Sequence, residues 1–377
     1  MAVFRSSCAP AVVVGILGLA GAVACSTNAT SEGSSTEPDA SVPDARTLAD
    51  CPVPPTGLPT DLYCTGLYAA RAPAQLAAGV MPYTPGVTLW SDGAEKHRFL
   101  QLPPGTKIDT TDLDAWKFPV DTKLWKEFRL GGALVETRIL WKRAAGKWEL
   151  GSYVWDATGT TATLNTSAPK GLVLPSGYEI PTQKDCDKCH HGGSDKVLGV
   201  EAVALGLPTA EGETLAALVR DGLLTNPPPT TSIALPEDAT GKAAAALGYV
   251  HANCGMPCHS TRGIGDETHL VLRLRAGEFW SLPTSDGGAP PTLPVPATMT
   301  DAYRSTLDQV PTTGAVAQAF PGAARITPGH HDKSLVWMLP SVRTKYQMPP
   351  LVSHIVDTTA MQKLADWIDA LPVTATP

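Results

Sequence analysis

Cysteine and histidine in one short cluster are the residues of this chain best suited to chemistry. Cys186 and Cys189 are separated by two residues, and His190 follows directly. This spacing is used to attach haem c, in which the two thiols bond to one porphyrin and the adjacent imidazole is the proximal ligand of the iron. A cysteine pair at this spacing also occurs in zinc half-sites and redox dithiols. We name the cluster motif 1 and predict that it holds a covalently attached haem.

A second cluster, motif 2, repeats this pattern with one more residue between its cysteines. Cys254 and Cys258 flank three residues, and His259 follows. The same chemistry predicts a second haem c, for which the CxxxCH spacing is unusual. Zinc or a disulfide is the alternative, and zinc shared by both motifs would make the protein a purely structural metal protein. The predicted cofactor is therefore haem c, with two groups expected.

The sequence indicates the second axial ligand more clearly for the haem of motif 2 than for the haem of motif 1. Met348 lies in a proline-stiffened loop and is predicted to ligate the second haem, because Met/His coordination raises the haem potential and suits electron acceptance. A buried gap-filling role for Met348 is the alternative, and Met338 is the next candidate ligand. No methionine lies between residues 191 and 250, and His191 adjoins His190 too closely to reach the opposite side of the iron. The unranked candidates for the distal ligand of the first haem are His251, His269, His330, His331 and Met299, and an open iron is the remaining possibility.

The N-terminus is predicted to direct export. Residues 1–25 combine Arg5, a short apolar run and small residues before Cys25, which is the pattern of a signal peptide. The run resembles a bacterial lipobox, so Cys25 is predicted to carry lipid; ordinary cleavage after Ala24 is the alternative. Residues 26–50 are polar and proline-containing and are predicted to form a disordered tether. The expected location is the periplasmic side of the bacterial envelope, with the membrane bound through the lipid anchor.

Composition limits the partners and the disulfides. The chain has 377 residues and a formal net charge of -7, so no nucleic-acid partner is expected. Cys51 and Cys64 remain after the motifs and the lipidation site are assigned. Export would place them in an oxidising compartment, where a short-loop disulfide is the natural pairing. Two reduced structural cysteines are the alternative.

The middle of the chain has the alternation of antiparallel strands. Strands are predicted over 123–130, 133–143 and 147–155, with Gly131-Gly132 as a two-residue hairpin turn. Six of the nine tryptophans lie between Trp90 and Trp155. Tryptophans on strands are more often core residues than a carbohydrate platform.

Helical spacing is concentrated in the second half of the chain. Helices are predicted over 211–223, capped by Thr209, over 241–253, and over 358–371. The predicted fold class is multidomain α+β, with an antiparallel β-sandwich-like domain followed by α-helical, cytochrome c-like haem regions. The predicted divisions are 51–170 for the β-domain, 171–230 for the first haem region and 231–377 for the second cytochrome c-like domain.

Six stretches are shared with one group of proteins: Leu89–Phe99, Leu102–Gly105, Glu136–Arg138, Tyr178–Pro181, Tyr249–Cys254 and Met348–Pro350. On these residues the chain resembles a bacterial family of exported di-haem c-type cytochromes with an N-terminal β-domain. The resemblance implies haem binding and electron transfer without naming a substrate. The second site of that family looks like CxxCH, from which the CxxxCH of motif 2 departs.

Three functions are open at this point. The leading hypothesis is an electron carrier of the cell envelope that exchanges electrons with a redox partner protein, and no catalytic residue is predicted for it. The second is a di-haem peroxidase-like oxidoreductase with one open iron. The third is an envelope ligand-binding protein in which haem has a sensing or structural role.

Overall fold

The computed structural model describes residues 51–70, 75–167, 171–191, 195–280, 294–312 and 314–373. All of them belong to one compact unit, Arg46–Pro377. The predicted signal at 1–25, the lipidation site Cys25 and the tether at 26–50 lie outside the described residues. The described part contains an antiparallel sheet and helices, so the mixed α+β class is confirmed.

Seven strands form one antiparallel sheet in the order β6-β5-β4-β3-β2-β1-β9, and β7 and β8 form a separate two-stranded ribbon. The strands are β1 (Met81–Thr84), β2 (Glu95–Gln101), β3 (Lys123–Leu130), β4 (Ala133–Ala144), β5 (Lys147–Trp155), β6 (Ala162–Leu164), β7 (Leu172–Val173), β8 (Glu179–Ile180) and β9 (Glu211–Gly212).

The hairpin between β3 and β4 forms where the glycine pair predicts it. Gly131 and Gly132 have φ angles of 55° and 82°. A two-residue turn with positive φ at both positions matches the twist of the strands that it joins, and glycine adopts it without steric cost. The turn fixes the register of β3 against β4, and therefore which side chains share a face.

One face of the sheet packs on the segment that precedes it. Trp125, Ile139 and Tyr153 are buried there with Leu62 and Leu67. Trp141 and Trp155 join the same cluster, so these tryptophans pack inward. Cys51 and Cys64, at the start of this segment, are joined by a disulfide. This face is core.

The opposite face is covered by the helical part of the chain. Leu100 and Leu124 share a core cluster with Leu218, Leu247 and Trp367 from three helices. The sheet therefore has two covered faces, and the helical cover brings both motifs to the same side of it.

The helices are α1 (Gln183–Cys189), α2 (Ala202–Gly206), α3 (Leu215–Arg220), α4 (Ala243–Val250), α5 (Asp301–Arg304), α6 (Gly314–Ala319), α7 (Leu335–Met338) and α8 (Thr358–Ala370). None in the described part of the chain has the length and apolar character needed to span a membrane.

The predicted helix at 211–223 was too long. Glu211–Gly212 is strand β9, which pairs with β1, and α3 begins after Thr214, whose side chain accepts a hydrogen bond from the Ala217 amide. Thr209 is not the cap; its hydroxyl donates to the Gly86 carbonyl at 2.8 Å. Tertiary pairing of the first residues thus outweighed their helical spacing.

Candidate haem-attachment site

One large cavity is lined by both motifs. Its empty volume is about 2520 Å³, including space open to solvent. The donor atoms predicted from sequence belong to its wall: Cys186, Cys189 and His190 of motif 1, Cys254, Cys258 and His259 of motif 2, and Met348. Groups separated by up to 162 positions along the chain therefore face one space.

Motif 1 is presented by the last turn of α1. Thr182 caps the helix by accepting from the Asp185 amide at 3.3 Å, and the Asp185 carboxylate accepts in return from the Thr182 amide at 3.3 Å. This capping box fixes the start of a helix of only seven residues. Cys186 and Cys189 are three positions apart, so a helical turn puts both thiols on one side.

The imidazole of His190 is held in one tautomer. Its Nδ1 lies 2.7 Å from the carbonyl oxygen of Lys196. A carbonyl only accepts hydrogen bonds, so Nδ1 carries the proton and Nε2 carries a free lone pair. Burial lowers the pKa of His190 to about 4, helped by the nearby charges of Lys126 and Arg138. The ring is therefore neutral at pH 7 and able to coordinate a metal.

The Lys196 carbonyl is itself fixed by the sheet. Asp195, one residue earlier, forms a buried ion pair with Lys142 of β4 at 2.6 Å. The Asp195 carboxylate also accepts from the Trp148 indole at 2.8 Å and from the Phe118 amide at 2.6 Å. The loop after motif 1 is thereby anchored to β4, β5 and the segment before β3. The orientation of His190 depends on this anchor.

Motif 2 follows α4 through a π-helical turn, His251–Gly255. In motif 1 the His190 amide donates to the carbonyl of Cys186, four positions back, at 3.1 Å. In motif 2 the His259 amide donates to the carbonyl of Cys254, five positions back, at 2.7 Å. The extra residue is accommodated by a wider turn, a device common at functional sites. Both motifs thus close the same bond, from the histidine amide to the first cysteine carbonyl.

The imidazole of His259 is half-buried and has no hydrogen bond to any described residue, and its Nδ1 is fully enclosed. Burial lowers its pKa to about 4, and Arg325 lowers it further. A Cβ atom on Gly265 would lie 2.9 Å from that Nδ1, and one on Gly263 would lie 1.9 Å from the Cys258 carbonyl oxygen. Only glycine lets the 263–265 backbone approach so closely. The ring is held by packing.

The four motif cysteines are free thiols. Burial raises the pKa of Cys186 to about 11 and those of Cys254 and Cys258 to about 12. Reactive dithiols have lowered thiol pKa values, whereas burial raises the pKa values of these three thiols. Cys189 of motif 1 is close enough to Cys258 of motif 2 to raise its pKa further. The two motifs therefore approach each other at Cys189 and Cys258 in the wall of the cavity.

The imidazole of His251 is hydrogen-bonded to other residues through both of its nitrogens. Its Nδ1 accepts from the Leu274 amide at 3.0 Å, so the proton is on Nε2, which lies 3.3 Å from the Glu201 carboxylate. Both ring nitrogens are occupied. His269, His330, His331, Met299 and Met338 lie outside the cavity lining, whereas Met348 belongs to it.

Comparison with protein-family models, with curated proteins and with solved structures finds no match. Nor do the described residues contain a group of three or more His, Cys, Asp or Glu side chains arranged to hold a metal ion. A c-type haem iron needs one or two protein ligands and a pair of thiols instead. The paired neutral thiols and neutral imidazoles of the cavity fit that requirement.

Sequence reasoning missed the residues that support the donors. The Lys142–Asp195 pair joins positions 53 residues apart, and no local pattern connects them. Lys126 and Arg98 looked like ordinary strand residues, yet both line the cavity. The sequence shows that charged and apolar side chains alternate along these strands, but it does not show that the helical part of the chain covers the charged face.

Proposed function

We propose that this protein is an exported di-haem c-type cytochrome that transfers electrons at the cell envelope and holds both haems in the shared cavity. The observation that carries the proposal is that two thiol pairs, each followed by a neutral imidazole, line one cavity. The resemblance to the di-haem family is consistent with this proposal.

Each motif residue has one role. Cys186 and Cys189 would bond covalently to the first haem, and His190 would coordinate its iron through Nε2. When bound, haem supplies reversible one-electron chemistry at iron. The residues of the cavity exclude water, hold the imidazole in one tautomer and set the charge around the site.

Motif 2 would hold the second haem through Cys254 and Cys258, with His259 and Met348 as the residues that would coordinate its iron. Methionine ligation raises the potential, while the hydrogen bond from His190 to Lys196 makes that imidazole more basic. The first site would therefore be the lower-potential one, so that electrons would enter at motif 1 and leave at motif 2.

The location follows from the N-terminus. The signal at 1–25, the lipidated Cys25 and the tether at 26–50 would hold the described unit near a membrane, on the periplasmic side of the envelope. A redox partner protein would dock there. The helical part would be a cytochrome c-like region that shares its cavity with the sheet.

The deciding experiment counts haem per chain by pyridine haemochrome spectra, in protein exported by a host that matures c-type cytochromes. Two haems are expected in the wild type, and one in each of Cys186→Ala/Cys189→Ala and Cys254→Ala/Cys258→Ala. Cys51→Ala/Cys64→Ala removes the disulfide outside the cavity and should keep both. A wild type without haem would refute the proposal.

The ligand role of Met348 has its own matched control. Met348→Ala should lower the midpoint potential of one haem, because the iron loses a thioether that favours its reduced state. Met338→Ala should leave both potentials unchanged, since Met338 lies outside the cavity lining. Potentiometric titration of both variants decides it, and the reverse result would make Met338 the ligand.

A second candidate function is a di-haem peroxidase-like oxidoreductase. It is favoured by the engagement of both His251 nitrogens and by the position of the other candidate ligands away from the cavity. An iron without a distal protein ligand can bind peroxide. Turnover of hydrogen peroxide with a high-spin signal that disappears in His190→Ala would favour it, while two low-spin haems would exclude it.

A further inference from the structure

Three cationic side chains form a straight row across the sheet. Arg98 of β2 is paired in register with Lys126 of β3, and Lys126 is paired with Arg138 of β4. Residues opposite each other on neighbouring strands point to the same face. All three line the cavity that contains the two motifs. We call them the cationic row.

A row of leucines runs beside the cationic row on the same face. Leu100, Leu124, Leu140 and Leu150 are paired in register across β2, β3, β4 and β5. Leu124, Leu140 and Leu150 line the cavity. Each leucine on β2, β3 and β4 is two positions from the cation of its strand, so the rows share one face. This wall of the cavity has an apolar stripe next to a positive one.

Two of the three cations have no carboxylate partner within hydrogen-bond or ion-pair distance among the described residues. Arg138 is paired with Glu136, with nitrogen-oxygen distances of 2.6 and 2.9 Å. Arg98 is 6% exposed, and neither it nor Lys126 has a hydrogen bond or ion pair with another described residue. Burial holds the pKa of Lys126 well below its usual value, and Arg98 lowers it further. Lys126 lies over the Phe128 ring, 5.1 Å from its centroid, but a buried cation without a carboxylate partner still destabilises a protein.

The acidic side chains of the same cavity are engaged elsewhere. They are Asp92, which accepts from the His354 and Ile355 amides, Glu179, bonded to His354, Asp185 of the α1 capping box, and Glu201, bonded to His251 and the start of α2. The side chains of Arg98 and Lys126 are therefore available to an anionic ligand, whose charge would raise the pKa of Lys126 and favour its protonated form.

The cationic row lies beside motif 1. Lys126 and Arg138 both act on the His190 imidazole and on the Cys189 thiol. A ligand attached at motif 1 therefore lies within reach of the electrostatic field of the row.

We propose that Arg98 and Lys126 bind the carboxylates of the haem attached at motif 1, while the leucine row packs against its apolar macrocycle. The inference rests on the proposed function and assigns residues of the sheet to the haem-binding site. Guanidinium and ammonium groups bind carboxylates by charge-assisted hydrogen bonds, and haem is apolar with two carboxylates at one edge. The wall has the same division of apolar and charged surface.

The test removes charge at matched positions of the sheet. Arg98→Gln and Lys126→Gln take a cation from the row, Lys126→Arg keeps it, and Lys147→Gln removes a cation from the exposed start of β5. Haem content is counted in each holoprotein, and the midpoint potentials are measured by spectroelectrochemical titration between pH 6 and pH 8.

One midpoint is expected to fall in Arg98→Gln and in Lys126→Gln, because the oxidised iron is favoured when a nearby cation is lost. The same midpoint should become dependent on pH, since a carboxylate without its cation takes up a proton at higher pH. Lys126→Arg and Lys147→Gln should behave like the wild type. The pH dependence distinguishes carboxylate binding from mere proximity of the row to the haem.

Two haems per chain with midpoints that keep their wild-type pH dependence in both Gln variants would overturn this inference and leave the proposed function intact. Added succinate tests the other source of carboxylate. It should not move the wild-type midpoints; a shift that Lys126→Gln abolishes would mean that the row binds dissolved carboxylates, and would also overturn the assignment. Haem-free wild-type protein would defeat both proposals.

Discussion

Motif 1 and motif 2 present the same donor groups by different means. Motif 1 ends a regular helical turn, and its imidazole is oriented by a hydrogen bond to the Lys196 carbonyl. Motif 2 follows a π-helical turn, and its imidazole is enclosed without a hydrogen bond to any described residue. One ring is fixed by a directional bond and the other by shape. Sequence spacing alone is therefore a poor guide to equivalence, because the backbone can absorb an inserted residue.

The largest effect is expected when the imidazoles of His190 and His259 are removed one at a time. His190→Ala and His259→Ala should each change the signal of one haem and leave that of the other, since the two motifs serve separate irons. Optical and EPR spectra of the holoproteins measure the effect, and His97→Ala, at an exposed strand position, is the control. Loss of both signals in a single variant would mean that the motifs act as one site.

An inserted residue tests the role of the π-helical turn. One alanine inserted between Asp187 and Lys188 converts motif 1 to CxxxCH, yet α1 has no π-helical turn to accommodate it. We expect haem content to fall from two to one per chain, measured by pyridine haemochrome and mass spectrometry. A tolerated insertion would show that the turn at motif 2 is unnecessary. An alanine inserted after Gly159, in an exposed loop, is the control.

The anchor of the motif 1 loop is tested by Lys142→Met, which leaves the Asp195 carboxylate buried and unpaired. Removing one partner of a buried ion pair costs about 3–5 kcal/mol in the free energy of unfolding. Denaturant titration measures it, and the spectrum of the first haem should change more than that of the second. Lys117→Met breaks an exposed pair with Asp109 and should have little effect, since solvent screens that pair. Equal losses would contradict the anchoring role.

The smallest effect is expected at the enclosed ring. Gly265→Ala brings a methyl group to 2.9 Å from Nδ1 of His259. Overpacking of this kind costs about 1–3 kcal/mol, and it should perturb only the second haem spectrum. Gly206→Ala, whose methyl would meet Leu215 and Ile233 at 3.2 and 3.3 Å away from the cavity lining, is the control. A shifted first-haem spectrum in Gly265→Ala would contradict the separation of the two rings.

Local signals predicted the sheet well. The strand over 147–155 and the glycine turn at 131–132 were confirmed because alternation and turn chemistry act over a few residues. The last helix was predicted within one residue for the same reason. The predicted helix at 211–223 failed at its start, where pairing of β9 with β1 decided the structure.

Only part of the candidate site could be predicted from the sequence. Residue type and spacing predicted the cysteine, histidine and methionine ligands, but the cavity that they share depends on how the helices pack on the sheet. The register that aligns Arg98, Lys126 and Arg138 joins positions 28 and 12 residues apart. Such register comes from hairpin turns and packing acting together, and no single window of sequence contains it.

The contacts that hold the His190 and His259 rings also determine how easily each motif could be transferred to another protein. Around motif 2, the Leu272 amide donates to the His259 carbonyl at 2.8 Å, and the Gly265 backbone lies against the ring, so these two contacts lie within the segment 254–272. Arg325, outside that segment, also donates to the Thr268 and His269 carbonyls. The anchor of motif 1 is Lys142, on a strand far from it in sequence. A graft of 254–272 into a new scaffold would carry the two internal contacts of the ring but would need a substitute for Arg325. A graft of 182–196 would carry Cys186, Cys189 and His190 but would lose the Lys142–Asp195 ion pair that holds the loop and orients His190.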